Sequence, residues 1–468
     1  MKNLIRILAA VVLLLFYQFS FAQDSLKLSH QEFLAIVKKY HPLSFKYQLQ
    51  NKIAEAELIK AKGNFDPILS GKLGEKNIDG TQYYNQKNIE LDIPTWYGIN
   101  INGAYNDLNG EKLNISETKG GLTQFGITVP LANNLLYDKR RALLDQAKFA
   151  LKLTEAEQIL LTNDLLLEAE NTFWEWVKNY EIYNLQRKAV QINLERLALT
   201  KKTYNYGERP AIDTVEAASQ LQSFQVQERD AFLNFVKSTQ EIKLFLWKDH
   251  QDLNEISQVI FPATSLEEHN GYTDFEFLVQ EVESKQVNNH ASLQYYFQKE
   301  KILESERRLK WQSFLPKFDF TYNFFNKENY RAEYLPLFDN NFQYALKLEI
   351  PIFLRQAKAD YQIAQLKIAQ NQQEIQLKSR EISTKIETYK NEVLNYHLQI
   401  DLTNNNLKNY QKLLKGEEIR FSNGESSLFL INARENKLIE AREKNLELKA
   451  KFLKSYNKLK WFNENYRF

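Results

Sequence analysis

The sequence predicts a mainly α-helical chain with a transmembrane β part, built from two copies of one unit. Three observations carry that prediction. Glycine and proline are confined to a few short regions, period-two alternation falls in those same regions, and a set of landmark residues recurs in the same order in both halves.

Residues 1–22 read as a secretory leader. Lys2 and Arg6 form a basic start, Ile7 to Phe16 an apolar core, and Ser20-Phe21-Ala22 a small-x-small cleavage site before Gln23. The alternative is an uncleaved anchor, although the apolar core is short for a membrane span. The chain has no cysteine. A lipidated cysteine, disulfides, thiolate metal ligands and thiol catalysis are therefore excluded.

All nine prolines lie at positions 42, 67, 94, 130, 210, 262, 316, 336 and 351, and ten of the fourteen glycines lie between Gly63 and Gly126. Segments 131–206, 211–261 and 352–415 contain neither residue and are rich in Leu, Ala, Glu, Gln and Lys. Helix interiors tolerate such composition over any length, so very long helices are predicted. One from Leu135 to Tyr206 would run roughly 110 Å at 1.5 Å per residue. Its apolar positions recur at spacings of three and four, as at Leu161, Leu165, Ala169 and Phe173, which reads as a packing seam.

Regions about 66–130 and 316–351 have the opposite rhythm. Phe342, Tyr344, Leu346, Leu348 and Ile350 alternate with Gln343, Ala345, Lys347 and Glu349. Phe318, Phe320, Tyr322 and Phe324 do the same, as do runs at 89–93, 97–105 and 123–129. Strands of about ten residues with one apolar and one polar face suit a barrel between lipid and water. A soluble sandwich is the alternative reading. No run of 18 apolar residues follows the leader, so any further membrane entry would have to be by β-strands.

The order helix, β region, long helix, glycine break, helix occurs twice, giving a first repeat over 23–261 and a second over 262–468. "YHPLSFKY" aligns with "NHASLQYY", pairing His41 with His290, and Pro67 aligns with Pro316 at the same offset. "ITVPLANNLLYDKRRA" aligns with "LEIPIFLRQAKAD", pairing Pro130 with Pro351 at the strand-to-helix junctions, where a helix-starting proline loses no hydrogen bond. Gly207 in "YNYGERPAIDTVEA" pairs with Gly424 in "FSNGESSLFLINARE", and Trp247 with Trp461. The breaks mark hairpin tips at 204–217 and 421–434, expected at the far end of the molecule from the strands.

Four to six strands from one chain cannot close a barrel, and an open edge cannot persist in lipid, so the chain is expected to oligomerise. Three copies of four strands give twelve and room for a channel, whereas two copies give eight and a filled interior. The first β region spans 63 residues between its prolines against 35 in the second. That surplus reads either as additional strands or as a long extracellular loop.

At this point the pattern resembles the TolC family of outer-membrane efflux and secretion channels. The resemblance is carried by the leader, "YHPLSFKY", "NFDPILS", "ITVPL", "LEIPIF" and above all the paired breaks. It implies a homotrimer with a twelve-stranded barrel in outer-membrane lipid, continued by a helical tunnel through the periplasm. It also implies a periplasmic adaptor and an inner-membrane pump as partners, and no chemistry or cofactor of its own. In such channels the glycine turns form the periplasmic tip, where the adaptor docks and the tunnel closes. That carries over to Gly207, Arg209, Pro210, Gly424, Glu425, Asn432 and Arg434.

Some members carry an acidic ring beyond the second glycine. The corresponding positions here are Leu430 and Ala433, so the candidate gate carboxylates are instead Asp213 and Glu216, at the same offsets in the first copy, with Glu425 beside the second glycine. Asp213 and Glu216 also fit a capping box for the return helix, and Ser426 or Ser427 would cap the other.

Other function classes fare poorly. Formal net charge is +2 with interspersed signs, which gives nucleic acid no electrostatic footprint. The histidines at 30, 41, 250, 269, 290 and 397 have no metal-binding spacing, and neither a phosphate-binding glycine loop nor a nucleophile elbow occurs. An exported coiled-coil tether is the remaining alternative, and the aromatic alternating strands weigh against it.

Overall fold

The computed structural model describes residues 26–248, 251–252, 260–268, 271–284, 290–327 and 341–462. The expected leader, His250, His269 and Pro336 lie outside the described residues. The short strand β1 (Leu26–Leu28) leads to helices α1 (His30–Tyr40) and α2 (Pro42–Lys62). Four strands follow: β2 (Ile68–Ile78), β3 (Thr81–Pro94), β4 (Asn100–Asn109) and β5 (Gly120–Pro130). Then come the long helix α3 (Lys139–Asn205), its return helix α4 (Ala211–Lys243), and the short strands β6 (Trp247–Lys248), β7 (Gln251–Asp252) and β8 (Ile260–Pro262). The second half comprises α5 (Gly271–Ser284), α6 (Ala291–Gln312), β9 (Lys317–Lys327), β10 (Phe342–Glu349), α7 (Arg355–Ser422) and α8 (Leu428–Phe462).

Absence of glycine and proline has the expected consequence. α3 is uninterrupted over 67 residues, and α7 over 68, running on through Gly416 in its last turns. Among the described residues, no helix is long and apolar enough to cross a membrane.

The chain folds as two compact units that cut across the sequence halves. One comprises Gln48–Leu160 and Asn288–Glu381, and the other the remaining described residues. The first unit holds a six-stranded sheet in the order β10-β9-β5-β4-β3-β2, every neighbouring pair antiparallel. The surplus of the first β region is therefore additional strand: it supplies four strands against two from the second. Between β2 and β3, Asp79 and Gly80 both have positive φ, +51° and +79°, as a two-residue hairpin turn requires.

In the second unit β1 pairs in parallel with β8, beside an aromatic core containing Phe33, Phe173, Trp174, Trp176, Phe235 and Phe452. α1 starts on a capping box, with Ser29 Oγ accepting from the Glu32 amide and Glu32 accepting from Ser29.

The aligned histidines have the same local geometry. His41 has φ −64°, ψ 133° and His290 φ −63°, ψ 134°. Each accepts at Nδ1 from the amide two residues on, Leu43 at 3.3 Å and Ser292 at 3.1 Å, and so starts the following helix.

Pro130 and Pro351 each lie at the junction of a strand and the following helix, and only their expected helix-starting role is corrected. Pro130 is the last paired residue of β5, opposite Asp319, and eight residues separate it from α3. Pro351 lies between the end of β10 and Arg355, the first residue of α7. Pro130 ends its ladder and Pro351 lies two residues past the end of its own, at Glu349, so neither proline opens a helix. Trp247 and Trp461 also differ, since the first opens β6 and the second lies within α8.

Candidate functional site

Two places carry the features that a membrane duct would need, and the first is the sheet. Following the register, Phe342, Tyr344, Leu346 and Leu348 face the same side as Phe324, Tyr322, Phe320 and Phe318 of β9. That side continues through Phe125, Ile127 and Val129, then Ile101 and Tyr105, then Ile89, Leu91 and Ile93, then Leu69 and Leu73. The other side carries Lys347, Asp319, Thr321, Asn323, Gln124, Asn102, Asn106, Glu90 and Asp92.

On β4 and β5 the apolar positions 101, 105, 125 and 127 are exposed, while the polar positions 102, 106, 124 and 128 are partly covered. On these two strands the polar side is therefore the more covered one, whereas on β10 both sides are exposed. Cross-strand amide and hydroxyl contacts line the polar side: Gln86 to Asn106 at 3.2 Å, Asn323 to Gln343 at 3.2 Å, Thr128 with Thr321 at 3.1 Å. Gly126 sits where the Asn102 and Asn323 amide heads converge, and a Cβ there would collide with both oxygens.

The second place is the pair of tips, both in the unit that holds the aromatic core. α3 ends because Gly207 takes φ +76°, and α7 because Gly424 takes φ +80°. In the first tip the Gly207 amide donates to Tyr204 at 2.8 Å and the Glu208 amide to Thr203 at 3.1 Å. In the second, Gly424 donates to Phe421 at 3.0 Å and Glu425 to Arg420 at 2.9 Å. Each is a Schellman motif, with the last helical carbonyls satisfied by the residues past the left-handed glycine. In both tips the return helix starts four residues after the glycine, at Ala211 and Leu428.

The capping box expected at Asp213 and Glu216 does not form. Helix α4 begins at Ala211 with Pro210 as its N-cap, φ −71° and ψ 154°, and without a side-chain cap. Proline fixes the extended entry that an N-cap requires, which starts the helix two residues before Asp213. Both carboxylates are consequently free to turn elsewhere. Asp213 approaches Arg209 at 3.7 Å, and Glu216 accepts from Asn432 Nδ2 at 3.3 Å. Ser426 is not a cap either; its hydroxyl donates to Glu417 at 2.5 Å. Ser427 stands at the cap position, its carbonyl accepting from the Leu430 and Ile431 amides.

The structure joins the two tips through residues of both copies. The Arg209 guanidinium lies 3.8 Å from the centre of the Phe421 ring and donates to the Phe421 carbonyl at 3.5 Å. Asn432, bound to Glu216, also accepts from Arg196 at 3.5 Å. Arg196 forms a forked pair with the buried Glu435, Nη1 to Oε2 at 2.5 Å and Nη2 to Oε1 at 3.2 Å, and Asn193 adds a bond at 3.2 Å.

Arg434 and Arg420 stand 3.8 and 3.7 Å from the buried Glu417. Glu425 is exposed, as are Leu430 and Ala433. Asp213 and Glu216 have different partners and do not form one acidic cluster. Sequence reasoning missed Asn193, Arg196, Glu417, Phe421 and Glu435. The signal was present for two of them: Asn193 follows Ala189 and Val190 on a buried stripe, and Glu435, like the expected Asn432, interrupts Leu428, Ile431, Leu438 and Ile439.

No family model matches the chain, and no curated protein matches it in sequence. Solved structures do. The Campylobacter jejuni CmeC outer membrane channel superposes with a TM-score of 0.64 at 13% identity, over 92% of this chain and 85% of that one. The outer membrane protein VceC of Vibrio cholerae gives 0.63 at 12%, over 92% and 95%. The open state of the Neisseria gonorrhoeae MtrE outer membrane channel gives 0.66 at 11%, over 92% and 88%. The chain has a TolC-type fold. The fold class read above all from the paired glycine breaks holds. The first β region, with four strands, exceeds the two per repeat that the twelve-stranded scheme requires.

Proposed function

We propose that this chain is the outer-membrane exit duct of a tripartite efflux or type I secretion assembly. Three copies share a barrel in the outer membrane, their helices continue it as a periplasmic tunnel, and a periplasmic adaptor and inner-membrane pump open it. The duct is passive. Energy comes from the pump, and selectivity from the width and lining of the lumen.

The observation that carries this reading is the sheet: an apolar face that runs across all six strands and is exposed on β2, β3, β4, β5 and β10, with β9 more covered, backed by an opposite face of amides and charges. A soluble sandwich would cover such a face, so its exposure favours lipid as the solvent. The exported-tether alternative gives the sheet no role, and the likeness to outer-membrane channels over nearly the whole described chain weighs against it as well.

The tips are the proposed gate and adaptor contact. Arg209 on Phe421, and Glu216 through Asn432 to Arg196 and Glu435, hold the two hairpins together in the resting state. Exposed Tyr206, Ile212, Val215 and Phe429 offer apolar surface beside them. An adaptor that draws the hairpins apart must break the Arg209 and Glu216 contacts.

Amine-reactive crosslinking of isolated outer membranes tests the assembly. A trimer in the outer-membrane fraction is expected; a monomer in the soluble periplasmic fraction would overturn the reading.

A further inference from the structure

The six-stranded sheet ends in two strands, β2 and β10, whose outer edges no other described strand covers. Unpaired strand edges within hydrocarbon leave backbone donors and acceptors without partners, which lipid cannot supply. Direction decides what can cover them. Six strands joined by antiparallel pairings leave the two terminal strands running opposite ways. The β2 edge of one copy therefore meets the β10 edge of a second copy antiparallel, with both copies upright.

Chain connectivity excludes the two-fold alternatives. α2 enters β2, β5 leads to α3, α6 enters β9 and β10 leads to α7, all at one end of the sheet. Pairing β2 with β2, or β10 with β10, would send the helices of the two copies to opposite sides of the membrane.

The hairpin β2–β3 continues the sheet rather than forming a separate loop. β2 has 11 residues, within about 9–11 for a tilted membrane strand. Its register with β3 runs almost its whole length, and that of β3 with β4 from Asn85 to Pro94. It also carries the apolar face onward: Leu69 is 70% exposed, Leu73 82% and Ile89 56%, on the same side as Phe125 and Leu346.

We propose that β2 of each copy pairs with β10 of the next, so that three copies of six strands close an eighteen-stranded barrel. This rests on the trimeric duct reading. Barrel diameter grows with strand number, and about 16–18 strands leave an open aqueous lumen. The membrane part would thus be porin-wide, and constriction would fall to the tips.

The cysteine-free chain makes a direct test possible. Leu69→Cys or Leu73→Cys on β2 is combined with Tyr344→Cys, Leu346→Cys or Leu348→Cys on β10, all on the outer face, and outer membranes are oxidised. One register is expected to convert most of the monomer band to covalent trimer on a denaturing gel, with no such band when the β10 cysteine is combined with Ile101→Cys on β4. Linkage of β10 to Ile101→Cys would overturn the inference in favour of a twelve-stranded barrel closed by β4. Absence of any β2–β10 link would overturn it as well. Amine-reactive crosslinking of the same membranes reports the trimer separately, so a trimer without β2–β10 linkage sinks only the edge pairing, and a monomer sinks the duct.

Discussion

The two tips share a backbone and almost nothing else. Gly207 and Gly424 have the same left-handed conformation, the same two capping hydrogen bonds and the same distance to the next helix. Their side chains differ at each position that makes a contact. Arg209 of the first tip stacks on Phe421, whereas its counterpart Ser426 turns inward to Glu417. Arg196 of α3 pairs with buried Glu435, whereas its counterpart on α7 is Leu413, which is exposed. A turn is specified by one residue that tolerates positive φ. The contacts between turns are specified by long polar side chains, which can diverge without disturbing it.

The largest effect that separates the tips is expected at Arg196. Arg196→Met leaves the Glu435 carboxylate buried with Asn193 as its remaining partner, and removing one member of a buried pair costs about 3 kcal/mol or more. Leu413→Ala, at the matching place in the second copy, should stay within about 0.5 kcal/mol. Thermal unfolding of the two variants in detergent measures both, and equal losses would mean that the asymmetry is not energetic.

The glycines should break the comparison the other way, by behaving alike. A Cβ at either position meets nothing within 4 Å, so only the left-handed conformation is penalised. Gly207→Ala and Gly424→Ala should each cost about 1 kcal/mol. Urea unfolding reads both, and a difference well above that figure would show that one turn is held by more than its backbone.

The smallest effect belongs to the clamp. Arg209→Ala and Phe421→Leu, singly and together, should give a coupling energy of about 0.5–1 kcal/mol, the range for a partly exposed cation–π pair. Coupling near zero would leave Arg209 as a solvated side chain and remove it from the proposed gate.

Much of the architecture was legible because it depends on residues whose absence or presence acts locally. The missing glycine and proline in 131–206 and 352–415 allowed helices of 67 and 68 residues, and alternation at 318–324 and 342–350 gave β9 and β10. The strand count was not legible. Ile68 to Ile78 alternates weakly, with Gly71, Gly74 and Lys76 among its positions, and becomes a strand by pairing with β3.

The junction prolines misled because a proline after a strand and before a helix fits either end. At Asp213 and Glu216 the spacing matched a capping box, but Pro210 fixes the helix start first. The tip network was hidden for another reason. Arg196 and Glu435 are 239 positions apart, and only the folded hairpins bring their stripes together.

Single-channel recording on the purified protein in a planar bilayer tests the central claim most directly. A small ion current is expected from the intact protein, rising several-fold in Asp213→Asn/Glu216→Gln, where the tip contacts to Arg209 and Asn432 are weakened. Membrane-inserted trimer that passes no current in either form would contradict the claim that this chain is a duct.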